Sequence, residues 1–391
     1  MTTDVPRGDA TALLRALARV DSRNPSLAAG APGERAAARL LADVLRGWGF
    51  VVEVHEVLPG RPNVVARVGR RAEGTRTLMF NGHLDVVGIE GMTHAPFDAE
   101  ERDGRIHARG AADMKGGIAA MCAAAVRAAD AGLAGEVIVA AVIDEEFASA
   151  GTRDLVARGI RADAAIVAEP TRLAVMPAHK GFAWIEVDVH GRAAHGSRWD
   201  VGVDAIRHAG LLLAELDRFD DEELARRTHP LLGRASLHAS RIEGGSGMST
   251  YPDRCALAIE RRTLPGETPE EVLAEVRDAC ARLRERRPSF DAEVRLALAQ
   301  APSDVHEDAP IVRALGAALG EEAMPMRVEG MSAWTDCALL NAAGVPAICF
   351  GPGDIALAHA AAESVPLEEV ERAAAVLTRL ALGWCGGGSR D

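Results

Sequence analysis

The chain has 391 residues, of which 48% are hydrophobic and 26% charged, a balance that is typical of a folded globular protein. At about 150 residues per domain, this length predicts two domains rather than one. The 57 acidic residues outnumber the 44 basic ones, and the resulting net charge of −13 disfavours nucleic acid and anionic membranes as partners.

The first residues and the cysteines indicate the compartment. Residues 1–9 lack the basic start and apolar stretch of a signal peptide. No segment approaches the roughly 18 consecutive apolar residues that span a bilayer. The cysteines form no CxxC pair and mostly lie in apolar stretches; they are Cys122, Cys255, Cys280, Cys337, Cys349 and Cys385. We therefore expect buried thiols in a reducing compartment, the cytoplasm.

The first part of the chain alternates predicted helices and strands. Helices are predicted at Asp9–Val20, Pro32–Trp48 and Lys115–Ala129, with Pro32 in a first turn. Strands are predicted at Val51–Val57, Asn63–Val68, Thr77–Phe80, Glu136–Ile143, Ala164–Ala168 and, much later, Ala347–Phe350. Such alternation is typical of an α/β domain with a mixed, largely parallel sheet flanked by helices.

The middle of the chain follows another pattern. Ala183, Ile185, Val187 and Val189 alternate with polar or amphipathic residues, which predicts a strand with one wet face. Further elements are predicted at Val203–Phe219 (helix), Ala235–Ile242 and Cys255–Arg262 (strands), Pro269–Arg286 (helix) and Ala292–Leu298 (strand). The order β-α-β-β-α-β predicts a ferredoxin-like α+β domain at 179–299, inserted into an α/β domain made of 1–178 and 300–391.

Polar clusters follow the ends of several predicted strands, where sites form in open α/β sheets. The clusters are Gly82-His83-Leu84-Asp85, the Gly-rich run Ala108–Gly117 around Asp113, Asp144-Glu145-Glu146, Glu169-Pro170-Thr171 and Ala358-His359-Ala360. Each cluster by itself also suits an ordinary surface turn, and Asp113 alone suits a helix N-cap.

Spacing suggests how the clusters divide their chemistry. His83 and Asp85 are two residues apart, which on extended chain points both side chains to the same side. His83 can then bind a metal while Asp85 orients its ring. Glu145 and Glu146 diverge on extended chain, so one can ligate metal while the other acts as a base towards water.

The combined set favours a metal centre over five unrelated turns. Two histidines and at least three carboxylates supply ligands for two ions, and a carboxylate such as Asp113 can bridge them. The set is rich in oxygen and lacks thiolate, which suits a catalytic site with room for water better than a closed structural zinc site. The sequence therefore predicts a two-metal hydrolytic centre.

This ordered set resembles the M20 family of metallohydrolases, which includes acetylornithine deacetylase, succinyl-diaminopimelate desuccinylase, aminoacylases and glutamate carboxypeptidases. The similarity spans nearly the whole chain and extends to Phe147 and Ala150-Gly151-Thr152. The resemblance implies a zinc-exopeptidase-like domain with an inserted lid and dimerisation domain. It also implies two Zn²⁺ per chain, with Co²⁺ able to substitute.

The same resemblance implies a role for each site residue. His83 and Glu169 would bind one zinc, Glu146 and His359 the other, and Asp113 would bridge them. Glu145 would be the general base and Asp85 the orienting acid. In the inserted domain, the run Gly191–Ser197 resembles the family's lid motif, so His195 would stabilise the oxyanion of a neighbouring subunit in a homodimer. Arg262 resembles the family arginine that grips a substrate carboxylate.

One position departs from the family pattern. Ser249 stands where members such as the desuccinylase have asparagine, which leaves the acyl group open. The nearby run Gly244–Gly247 lacks the lysine and following helix of a phosphate loop, so a simple turn is expected.

The expected activity is removal of an N-acyl group from an amino-acid-like substrate, as in acetylornithine deacetylase. Glu145 would take a proton from the attacking water and return it to the leaving amine. A dipeptidase or glutamate carboxypeptidase would use the same metals on a peptide bond. A noncatalytic metal-bound binding protein is the alternative from another class.

Overall fold

The computed structural model describes residues 5–386, so residues 1–4, part of the stretch on which the signal-peptide prediction rests, lie outside the described residues. The helices are α1 (Ala10–Ala18), α2 (Arg35–Gly47), α3 (Gly116–Asp130), α4 (Ala150–Ala157), α5 (Ala205–Glu222), α6 (Pro269–Arg286), α7 (Pro310–Glu321), α8 (Cys337–Ala342) and α9 (Leu367–Cys385). The strands are β1 (Val51–Leu58), β2 (Arg61–Gly69), β3 (Thr77–His83), β4 (Glu100–Arg102), β5 (Arg105–His107), β6 (Glu136–Val142), β7 (Ala164–Val167), β8 (Val175–His179), β9 (Gly181–His190), β10 (Thr228–His229), β11 (Gly233–Arg234), β12 (Ser236–Gly244), β13 (Arg254–Thr263), β14 (Asp291–Gln300), β15 (Ser303–Asp304), β16 (Val328–Met331), β17 (Ala347–Cys349) and β18 (Ser364–Pro366).

These elements form two compact units. Of the described residues, the first contains 5–177, Val305–Glu329 and 335–386. The second contains Ala178–Asp304 and Gly330–Trp334. The sequence predicts domain boundaries after residues 178 and 299. It gives no sign that residues 330–334 belong to the second unit.

The first unit is built on a mixed sheet with strand order β1-β2-β6-β3-β7-β17-β8. The central strands β6, β3, β7 and β17 run parallel, whereas β1, β2 and β8 join antiparallel. All seven residues of β3 are buried, as expected for a strand covered on both faces. The predicted fold class, a mixed and largely parallel α/β sheet, is thereby confirmed.

Helix α2 begins later than predicted. Gly33 has a φ of 73°, in the left-handed region, so the chain turns there and the helix starts at Arg35. Pro32 therefore lies before the first turn instead of inside it. Helix α1 begins close to its predicted start because the Asp9 side chain accepts the Ala12 N–H at 2.8 Å, which caps the helix.

The second unit has a four-stranded antiparallel sheet in the order β12-β13-β9-β14. The apolar residues of β9, β13, α5 and α6 form one buried cluster. Apart from the short hairpin β10-β11, the elements run β9-α5-β12-β13-α6-β14, which is the predicted β-α-β-β-α-β order. Strand β12 lies at one edge of this sheet, and most of its residues are exposed.

The cysteines are all buried free thiols, as predicted. Burial raises the pKa of Cys280 to about 11 and that of Cys385 to about 12. Within residues 5–386, no helix combines the length and the apolar character that crossing a bilayer requires.

Candidate metal centre

Three adjacent parallel strands bring polar residues to one edge of the first unit's sheet. Strand β3 ends at His83, which pairs with Val142 at the end of β6. Glu145 and Glu146 follow β6, and Glu169 follows β7 on the other side of β3. Because parallel strands share their carboxyl edge, these side chains meet there.

Asp113 reaches the same edge from the turn Ala111–Lys115, which precedes helix α3. The start of helix α3 packs very closely, since a Cβ atom on Gly117 would lie 1.9 Å from the Ala168 carbonyl oxygen. Glycine at this position therefore lets the start of α3 approach the end of β7. This contact explains the second glycine of the Gly-Gly pair and brings the start of α3 close to the residue before Glu169.

The Asp113 carboxylate lies between the two histidines. Its Oδ1 atom is 3.0 Å from His83 Nε2, and its Oδ2 atom is 3.3 Å from His359 Nε2. His359 Nε2 also lies 2.9 Å from Glu146 Oε2. The two oxygens of one carboxylate thus face two different imidazoles, as a bridging ligand would.

Two more carboxylates complete the cluster around His83. Its Nε2 atom is 3.9 Å from Glu145 Oε2 and 3.9 Å from Glu169 Oε1. Two groups of potential ligand atoms share His83, one with Glu145 and Glu169 and the other with Asp113 and Glu146. The chain thus assembles two overlapping sets of metal-ligating atoms.

The cluster is largely buried and rich in negative charge. Four carboxylates face only two imidazoles, and the Glu146 Oε1 atom is buried without a hydrogen-bond partner. Burying unpaired carboxylates is costly, so these acids need cations or protons as partners. Imidazole and carboxylate groups without thiolate are a donor set that divalent metals such as zinc accept.

The pKa values follow from this crowding. Burial raises the pKa of Glu145 and of Glu169 well above the ordinary range, and neighbouring carboxylates add to the effect. Burial and the charge of Asp113 raise the pKa of Glu146 to about 7. Hydrogen bonds to Asp113 and Glu146 raise the pKa of His359 to about 10. The cluster thus holds protons in places where bound metal ions would replace them.

Asp85 contacts this edge in a way that its spacing from His83 did not predict. Its main-chain oxygen lies 2.9 Å from His83 Nδ1, whereas its carboxylate Oδ1 atom is 3.7 Å away from that nitrogen. The carboxylate instead accepts the main-chain N–H groups of Glu145 and Glu146, each at 3.2 Å. It therefore joins the end of β3 to the segment after β6.

A buried polar network that the sequence did not reveal supports this contact. Asn24 donates from Nδ2 to Asp85 at 2.9 Å and to Asp144 at 3.1 Å. Arg61 Nη2 lies 2.6 Å from Glu34 Oε1 and 3.0 Å from Asp144 Oδ1. These partners lie far apart along the chain, so no local pattern marks them.

His195 and Arg262 belong to the second unit. His195 is exposed, and its Nδ1 atom lies 2.9 Å from the Ser197 hydroxyl oxygen and 3.3 Å from the Ser197 main-chain nitrogen. Arg262 donates from Nε to Glu260 at 2.6 Å, and its guanidinium lies 5.4 Å from the centre of the Phe182 ring. Both side chains therefore have defined local partners.

The segment that departs from the family pattern is exposed. The Ser249 main-chain oxygen accepts the Gly196 N–H at 2.7 Å, so this residue contacts the loop that carries His195 through its backbone. Gly245 has a φ of 85° after the end of β12, in agreement with the predicted turn.

A mixed α/β sheet with acids and histidines at its carboxyl edge defines the class of a metallohydrolase-like enzyme. Peptidase family M20/M25/M40 matches residues 79–383 of this chain. The chain therefore belongs to this family, and it is a hydrolase that acts on amide bonds, as the resemblance predicted.

Similar proteins span nearly the whole chain. Acetylornithine deacetylase from Myxococcus xanthus is 34% identical over 352 residues, which cover 88% of this chain and 90% of the relative. N-formyl-4-amino-5-aminomethyl-2-methylpyrimidine deformylase from Bacillus subtilis is 30% identical over 380 residues, covering 88% of each protein. The structure of the M20 family metallo-carboxypeptidase Sso-CP2 from Sulfolobus solfataricus is 18% identical, with a TM-score of 0.78 over 96% of this chain and 99% of that one, which supports the fold.

Proposed function

We propose that this protein is a di-zinc amidohydrolase that removes an N-acyl group from an amino-acid-like substrate. The observation that carries the proposal is the Asp113 carboxylate, whose two oxygens face His83 and His359 separately. The relatives named deacetylase and deformylase both release an acyl group from nitrogen, which supports the same reaction for this chain. We also propose that it works in the cytoplasm, because the structure joins none of the six buried cysteines in a disulfide.

The proposed ligands divide into two sets that share Asp113. His83 and Glu169 would hold one zinc, and Glu146 and His359 would hold the other. The buried and unpartnered Glu146 Oε1 atom supports this assignment, because a metal would satisfy it. The zinc pair, when bound, supplies a Lewis acid for the amide carbonyl and lowers the pKa of the attacking water.

Glu145 is the proposed general base. It would take a proton from the attacking water and pass that proton to the leaving amine. Its carboxylate lies 3.9 Å from His83, inside the cluster, and its main-chain N–H is held by Asp85 at 3.2 Å. The contact with Asp85 keeps the backbone of the base in one position relative to His83.

His195 is the proposed hydrogen-bond donor to the oxyanion that forms during attack. Its Nδ1 atom contacts Ser197, so Nε2 is the ring nitrogen that would meet the oxyanion. Arg262 is the proposed partner of a substrate carboxylate. Glu260 takes its Nε–H, so the two terminal nitrogens can meet a carboxylate in a planar fork.

A homodimer is part of the proposal, because His195 would serve the partner subunit. Strand β12 lies at the edge of its sheet, and Ile242 on that strand is 52% exposed. An exposed edge strand with an apolar side chain can pair with the same strand of a second copy in a two-fold arrangement. Light scattering of the purified protein is expected to give twice the mass of one chain.

Hydrolysis of a substrate panel tests the proposed reaction. The panel contains N-acetyl, N-formyl and N-succinyl amino acids beside dipeptides, each incubated with zinc-loaded protein and with the Glu145→Gln variant as a control. We expect turnover of at least one N-acyl amino acid that the variant lacks. Turnover of dipeptides alone would favour the peptidase alternative. Two bound zinc ions without any hydrolysis would favour a noncatalytic binding protein.

A further inference from the structure

Glu363 is a fully buried carboxylate that no sequence motif marks. Its Oε1 atom accepts the main-chain N–H groups of Ala112 at 3.0 Å and Asp113 at 3.2 Å. Its Oε2 atom accepts the Gly110 N–H at 3.0 Å and the Arg109 Nη1–H at 2.7 Å. Four donors from one short segment therefore converge on a single carboxylate.

Arg109 connects the same carboxylate to the segment that follows His359. It donates from Nη1 to the Ala360 carbonyl oxygen at 3.4 Å and from Nε to the Gly88 carbonyl oxygen at 2.8 Å. Glu363 itself lies four residues after His359, on the same segment. The turn that carries Asp113 and the segment that carries His359 are thus joined by one buried ion pair.

The backbone of the Asp113 turn needs such support. Gly110 has a φ of 79°, and Asp113 has a φ of −121° and a ψ of 94°, which is not helical although helix α3 begins three residues later. Buried N–H groups that regular secondary structure does not pair, such as those of Ala112 and Asp113, need other partners. Glu363 supplies them, and it does so at the residue whose side chain lies between the two histidines.

Stability alone is a poor reason for this arrangement, because a buried ion pair adds little net stability compared with an apolar replacement. We propose that Glu363 and Arg109 are positioning residues. They would hold Asp113 and His359 in the relative positions needed to bind the second metal, the one assigned to Glu146 and His359. The inference rests on the proposed two-metal function. It adds a requirement outside the ligand set, namely that metal affinity depends on a residue that touches no metal.

Calorimetric titration with zinc tests the proposal on the full-length, metal-free protein and on Glu363→Gln. All partners of Glu363 are donors, so either orientation of the glutamine amide places an NH₂ group against N–H groups. We expect the second zinc to bind about 10- to 100-fold more weakly, the usual range for residues that orient metal ligands. The visible spectrum of the cobalt-loaded variant should change as well, a readout that is independent of turnover.

Asp220→Asn is the matched control. Asp220 also pairs with an arginine, Arg234, and accepts one main-chain N–H, from Leu237, but it contacts no residue of the Asp113 turn. We expect this variant to lose thermal stability and yet bind zinc with wild-type affinity. Arg109→Lys provides a second variant in case Glu363→Gln does not fold, because it keeps the charge but loses the fork to Gly88 and Ala360.

The outcomes separate the two proposals. The positioning role alone would be overturned if the wild-type protein binds two zinc ions and the Glu363→Gln and Arg109→Lys variants bind them equally well. Weakening of zinc binding to the same degree in Asp220→Asn would also overturn it, since general destabilisation would then explain the loss. Wild-type protein that binds no zinc would overturn the proposed function and the positioning role together.

Discussion

Asp113 directs its Oδ1 atom towards His83 Nε2 at a distance of 3.0 Å. The second oxygen of the same carboxylate faces His359, so one side chain contacts both histidines. Segments that are far apart in sequence meet at this carboxylate. Metal binding, proton transfer and the support of the surrounding backbone can each be tested at this point of the molecule.

Replacing the proposed base should separate metal binding from turnover. Glu145→Gln keeps the size of the side chain but removes the group that accepts a proton. We expect kcat to fall about 10²- to 10⁴-fold, the usual contribution of a positioned base, while two zinc ions stay bound. Steady-state kinetics and metal analysis on the same sample measure both effects. Glu73→Gln, at an exposed position, is the control, and wild-type turnover in Glu145→Gln would rule out this role.

The metal-free protein should lose stability as the pH rises, because of His359. Hydrogen bonds to Asp113 and Glu146 raise the pKa of His359 from 6.5 to about 10. A raised histidine pKa contributes stability that is fully present below pH 6.5 and is lost as the pH rises towards 10. Urea unfolding of wild type and His359→Gln should therefore differ most at low pH. An equal difference at both ends of this range would contradict the predicted proton binding.

Zinc affinity should increase as the pH rises, whereas the stability of the metal-free protein should decrease. A metal competes with the proton on His359, so zinc should bind more tightly as the pH rises and should release protons on binding. Titrations in buffers of different ionisation enthalpy measure that release. Zinc binding without proton release would show that His359 is already neutral in the free protein.

Mixing two inactive variants should restore activity if His195 serves the partner subunit. His195→Ala and Glu145→Gln each lack one proposed group, and a mixed dimer contains one site with both groups intact. Random exchange between dimers with two equivalent sites predicts recovery of about one quarter of wild-type activity. Refolding the variants together and separately supplies the comparison. Activity equal to the mean of the two parents would place His195 in its own subunit's site.

The close packing at the start of α3 should make Gly117 intolerant of a side chain. A Cβ atom there would lie 1.9 Å from the Ala168 carbonyl oxygen, so Gly117→Ala must displace backbone on one side. We expect a loss of about 1–3 kcal/mol in the free energy of unfolding, typical of overpacking. Gly210→Ala is the control, since Gly210 lies in α5, where a Cβ atom would meet open space. That variant should be neutral or more stable, because alanine favours helix.

Sequence reasoning located His83, Glu146 and Glu169 because each lies at or just after the end of a largely buried strand. Strand direction then determines which residues meet, as with His83 and Glu169 on the neighbouring strands β3 and β7. The start of α2 was misplaced because Pro32 fits a first turn, whereas the left-handed φ of Gly33 overrides that preference.

Contacts between distant segments escaped prediction. Glu363 reaches the N–H of Asp113 across 250 positions, and Asn24 reaches Asp85 across 61. No periodicity or turn signal encodes such a contact, since it depends on the folded positions of both segments. Spacing also suggested that the Asp85 side chain orients His83, yet the carboxylate lies closer to the main chain of Glu145 than to that ring.

The most direct test of the central claim is the number of zinc ions bound per chain in wild type and in Asp113→Asn, measured by elemental analysis after dialysis. The same samples are assayed for hydrolysis of the N-acyl amino acid that the panel identifies. The bridging role predicts two zinc ions per wild-type chain and fewer than two in the variant. Chelation should abolish the activity of the wild type, and added zinc should restore it. Full hydrolytic activity in metal-free protein, or two tightly bound zinc ions in an active Asp113→Asn variant, would contradict this role.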